Sequence, residues 1–90
     1  MEKRISKEKK DFITIENKRI GSNLLKLRWN QYLEQVDLTQ KIQLAGLDID
    51  KVTYCKIENG NRKLYAYEIP YFAKALNMSI NQFVEKIFEK

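Results

Sequence analysis

Gly21, Gly46, Gly60 and Pro70 are the only strong backbone breaks in ninety residues. Their spacing restricts the chain to a series of short blocks. Within those blocks apolar residues recur at intervals of three and four, the period of helices that bury one face. Ile20, Leu24 and Leu27 share one face of a first helix, predicted over residues 18–32. Leu25 and Trp29, four apart, form a second ridge that needs cover from the Phe12–Ile15 segment or from a second subunit. Val36, Leu38 and Ile42 predict a second helix over 34–43, with Gly46 in the turn after it. Asp50 stands where an N-cap belongs, its carboxylate accepting amide hydrogens of the next turn. A third helix over 50–59 then stops at Gly60, with Tyr54 and Ile57 turned inward.

Pro70 lacks an amide and clashes with a preceding helical turn, so a fourth helix over 67–76 must begin between Tyr67 and Pro70. Asn77 suits the left-handed position that closes it. Ser79, with Gln82 three residues on, makes a capping box for a fifth helix over 79–89. Its apolar stripe is Ile80, Phe83, Val84, Ile87 and Phe88. The first three are expected in the core, and Ile87 and Phe88 are a candidate dimer surface. The fold expected is therefore all-α, with five short helices over residues 18–90 behind a basic, partly flexible N-terminal arm over 1–17. Residues 1 to about 11 are expected to be mobile. Phe12, Ile13 and Ile15 are consistent with either a short strand or an apolar hook laid on the body.

Seventeen Lys and Arg against twelve Asp and Glu give +5, of which residues 1–19 hold +3. The remainder is nearly balanced, so a polyanionic partner has to be argued from where charges sit. No run of about 18 apolar residues is present to span a membrane, and the N-terminus has no apolar leader segment. One cysteine, Cys55, allows no internal disulfide, and a chain without histidine offers no zinc cluster or imidazole base. No metal, cofactor or catalytic residue is expected, and the cytoplasm is the expected compartment.

The words IGSNLLKLR, KIENGNRK and AKALNMS, in that order, resemble the lambda-repressor and Cro-type DNA-binding domains, the XRE-like helix-turn-helix regulators. The resemblance covers about residues 18–84. Leu38-Thr39-Gln40 looks like the word that opens the family's second helix. Counting forward from IGSNLLKLR instead puts Leu33-Glu34-Gln35 there, whereas the other register leaves Gly46 inside a helix at a cost of roughly 1 kcal/mol.

In that register the resemblance implies that Lys51, Val52 and Lys56 face the floor of the major groove as base contacts. It implies phosphate contacts from Gln35, Asn59, Asn61, Arg62 and Lys63. It also implies a structural ion pair between Arg28 and Glu58. Three positions depart from the pattern: Ala66 replaces a capping aspartate, Asp48 and Asp50 place carboxylates near the DNA face, and Tyr54 replaces a small aliphatic. The function implied is a sequence-specific regulator of transcription, a repressor, that binds double-stranded DNA as a homodimer. The alternative is a protein-interaction module, such as an antitoxin-like partner, presenting Trp29, Ile87 and Phe88 to another regulatory protein.

Overall fold

The computed structural model describes the backbone of residues 7–90 and the side-chain surroundings of residues 14–90. Among these residues there are five α-helices and no strand: α1 (Lys7–Asn30), α2 (Gln35–Ala45), α3 (Lys51–Glu58), α4 (Ile69–Ala75) and α5 (Ile80–Ile87). A single 3-10 turn, Ala66–Glu68, leads into α4, and Pro70 falls in the first turn of that helix, where its missing amide costs nothing. α1 packs on α3 and α5, α2 on α3 and α4, and α4 on α5. Leu24, Leu38, Ile42, Tyr54, Ile57, Phe72, Leu76, Phe83 and Ile87 meet in one core, where the Phe72 ring lies 6.1 Å from Tyr54 and 6.2 Å from Phe83.

Four expectations change. The first helix begins at Lys7 rather than residue 18, so Phe12–Ile15 is helix and neither strand nor hook; the part of the expected arm over 1–6 lies outside the described residues. Ile87 is 0% exposed and belongs to the core, which removes it from the candidate dimer surface. Asn23 of α1 donates to the carbonyls of Ile87 and Glu89, at 2.9 and 2.7 Å, and so seats the end of α5 on α1. Ile80, expected inside, is about half exposed, because it opens α5 and projects ahead of the contact that buries Phe83 and Ile87. Val36 is likewise exposed. The Ser79–Gln82 capping box is present, with Gln82 N 3.1 Å from Ser79 Oγ and Ser79 N 3.0 Å from Gln82 Oε1.

Helices α1 to α4 all end in the same way. Each is followed by a residue of positive φ: Tyr32 (58°), Gly46 (118°), Gly60 (78°) and Asn77 (57°). In every case the amide of the next residue reaches back to a carbonyl five positions earlier: Leu33 to Arg28, Leu47 to Ile42, Asn61 to Lys56, Met78 to Ala73. These are Schellman closures, which satisfy carbonyls the helix leaves open and turn the chain sharply. Glycine and asparagine tolerate this backbone, but tyrosine does not, and the Tyr32 side chain is 95% exposed and gains little packing in return. Tyr32→Gly is therefore expected to stabilise the fold by about 0.5–1 kcal/mol, the relieved strain being partly offset by the freer unfolded chain. Urea titration that finds no gain would show that the turn carries no strain.

Candidate nucleic-acid interface

α3 is only eight residues long, so its start and its buried side both need support. Asp50 supplies the first: its Oδ1 accepts the Thr53 amide at 2.7 Å. That hydrogen bond holds the Asp50 carboxyl below its ordinary range, and the charge is committed to the helix N-terminus. At 100° per residue, Tyr54, Ile57 and Glu58 fall on one side of α3, and all three are buried. Lys51, Val52, Lys56 and Asn59 fall within about 140° on the other side, and all four are exposed, Val52 at 64%. Neither lysine forms an ion pair among the described residues.

Behind α3 lies a fully connected polar network. Arg28 Nε donates to Glu58 Oε2 at 2.7 Å and Arg28 Nη2 to Glu58 Oε1 at 3.1 Å, while Arg28 Nη1 caps the Leu33 carbonyl at 2.8 Å. The Tyr54 hydroxyl also donates to Glu58 Oε2, and Gln35 Nε2 donates to Glu58 Oε1 at 3.1 Å. Gln35 Oε1 in turn accepts from the Cys55 thiol at 3.1 Å. One carboxylate thereby ties α1, the start of α2 and both turns of α3 together. Burial works to raise the Glu58 pKa, yet the hydrogen bonds from Arg28, Tyr54 and Gln35 outweigh it and hold the group below the ordinary carboxylate range. The hydrogen bond to Glu58 raises Arg28, and burial, with the same carboxylate beside it, pushes the Tyr54 phenol far up. Gly21 makes the approach feasible: a Cβ there would lie 2.2 Å from the Glu58 carbonyl oxygen and 2.5 Å from that of Ile57.

After α3 the chain turns through Asn59, Gly60 and Asn61, the two asparagines exposed. Lys63 is also exposed, but Arg62 is not available in the same way. Its Nη1 and Nη2 grip the Glu68 carboxylate at 2.9 and 2.8 Å, Nη1 also reaches the Lys63 carbonyl at 2.8 Å, and the guanidinium lies 4.7 Å from the Tyr65 ring centre. Glu68 is 2% exposed and caps the Tyr65 amide as well, so Arg62 neutralises a buried charge instead of standing free for phosphate. Glu68 and Tyr65 were missed from the sequence; the signal was a lone glutamate six residues after an arginine, with a proline-marked helix start between them and the core. Phe88 is 50% exposed, as a surface residue would be.

Five helices in which short α3 is anchored along one side on α1 and on the start of α2, with the opposite side left open, fit a small helix-turn-helix domain. A control protein from a Mycoplasma species, C.MunI, is 30% identical to this chain over 69 residues, covering 77% of the chain and 88% of the relative. The chain belongs to the family of that control protein. No family model matches it, and no solved structure does.

Removing one partner of a buried pair leaves the other charge uncompensated, so Glu58→Gln should cost about 3–5 kcal/mol, and Arg62→Ala, whose side chain is partly exposed, less than that. Because folding lowers the Glu58 pKa, its contribution is complete above the unfolded value of about 4.3 and is lost as pH falls below it. Melting followed from pH 7 to pH 3 should show the wild type losing stability steeply at the acid end and Glu58→Gln losing less. Parallel acid limbs would mean that other carboxylates control acid unfolding.

Proposed function

We propose that this protein is a sequence-specific regulator of transcription, a cytoplasmic repressor that binds double-stranded DNA as a homodimer and lays α3 in the major groove. The observation that carries the reading is the two-sidedness of α3: one side locked through Glu58, the other presenting exposed Lys51, Val52 and Lys56, the two lysines without an ion pair among the described residues. Lysine donates to guanine O6 and N7, and valine packs on a thymine methyl. Gln35 keeps a second amide hydrogen beyond the one given to Glu58, and with Asn59, Asn61 and Lys63 it is suited to phosphate oxygens. The relationship to a control protein supports a regulatory role. Exposed Phe88, and separately exposed Trp29, are the apolar side chains we assign to the dimer contact.

Fluorescence anisotropy at about 150 mM salt should show a selected duplex pool binding ~1000-fold more tightly than a random pool, with a palindromic consensus whose half-sites lie about one helical turn apart. Lys51→Ala or Lys56→Ala should flatten the preference among operator variants by about 1–3 kcal/mol at one position. Equal, weak binding to both pools would favour the protein-interaction module, for which exposed Trp29 and Phe88 are the available contacts.

A further inference from the structure

The turn after α3 has fewer free cations than its sequence suggests, since Arg62 is held by Glu68. A lysine of α1 lies against the same turn. A Cβ placed on Gly60 would lie 2.6 Å from Cγ of Lys18 and 2.9 Å from its Cα, so the stem of Lys18 runs directly over the glycine between Asn59 and Asn61. Further along, Gly21 meets the carbonyls of Ile57 and Glu58, so α1 runs antiparallel to α3 and passes the end of that helix. Lys18 is exposed and has no ion pair among the described residues, whereas its neighbour Arg19 is paired with Glu16 at 2.7 Å.

We propose that Lys18 is a further phosphate contact, which extends the DNA-binding surface from α3 and its following turn onto α1. The inference rests on the DNA-binding reading above. A strongly hydrated ammonium on a flexible stem is suited to this as a point charge, without the fixed geometry a guanidinium requires. Held over Gly60, the stem begins beside the turn that carries the two asparagines, and a flexible chain from that point suits a phosphate that approaches the turn. Glycine at position 60 serves two purposes here: it adopts the left-handed backbone that closes α3, and it leaves room for Lys18.

The test compares Lys18→Gln with Lys26→Gln, which removes the same charge from an exposed site two turns along α1, about 12 Å away. Anisotropy against one selected duplex and one random duplex, over about 50–400 mM salt, gives the number of phosphates neutralised. Lys18→Gln should weaken binding to both duplexes roughly fivefold at about 0.15 M salt and lower the salt slope by about 1, with an unchanged melting temperature. Lys26→Gln should leave the slope near that of the wild type. Equal slopes for the two variants, or a Lys18→Gln slope equal to that of the wild type, would overturn the proposal while leaving the DNA-binding reading intact. A wild type that binds neither duplex would overturn that reading itself.

Discussion

The Glu58 carboxylate is the constraint on which the rest of the structure depends. It accepts from Arg28 on α1, from Gln35 at the start of α2 and from Tyr54 one turn back on α3. A helix of eight residues has too few internal hydrogen bonds to persist alone, and α3 must leave one whole side in water if that side is to meet a ligand. Apolar burial by Tyr54 and Ile57 holds it against the core but fixes its rotation only loosely. The directed bonds to Glu58 set the rotation and the depth. Every buried side-chain polar atom among the described residues has a partner, so the network adds orientation without leaving an orphaned group.

The helix ends follow from the same need for sharp geometry. Four consecutive elements must each reverse direction within a few residues to surround so small a core, and all four use a left-handed residue to do so. Three of the four stops are legible because glycine and asparagine announce them. Tyr32 is not legible, since nothing in its chemistry favours the conformation it adopts; the partial burial of Leu33 against the core and the Arg28 bond to the Leu33 carbonyl impose it. Likewise Asp50 and Ser79 could be read as caps because their short side chains reach the amides that a helix start leaves open.

What the sequence hid is equally specific. Apolar periodicity begins at Ile20, so the helix was expected to begin near it. Backbone helix, however, needs only propensity and the absence of a break, and the Lys- and Glu-rich stretch before Gly21 supplies both. On α5 the expected placement holds for Phe83 and for exposed Phe88 but fails for Ile80, which is half exposed, and for Ile87, which is buried, because periodicity gives the angle of a side chain around its helix and not which turn another helix covers. Asn23, two hydrogen bonds from the end of α5, decides that α1 covers Ile87. Arg62 lies among exposed polar neighbours in sequence, and only the fold brings the buried Glu68 to it.

Net charge is the least informative number about this surface, and its distribution between the two cations is the most. All three arginines in the described side chains are engaged with glutamates: Arg19 with Glu16, Arg28 with Glu58, Arg62 with Glu68. Among the lysines in the same region only Lys86 has a carboxylate near, at 3.8 Å from Glu89. The planar guanidinium is used where two hydrogen bonds must be made to a fixed carboxylate, which also cancels three acidic charges within the molecule. The lysines are left as the mobile positive field. A body whose basic and acidic residues almost balance on paper therefore presents an excess of unpaired ammonium groups to solvent. Lys51, Lys56 and Lys63 follow one another along α3 and its turn, and Lys18 of α1 lies over Gly60 in that turn.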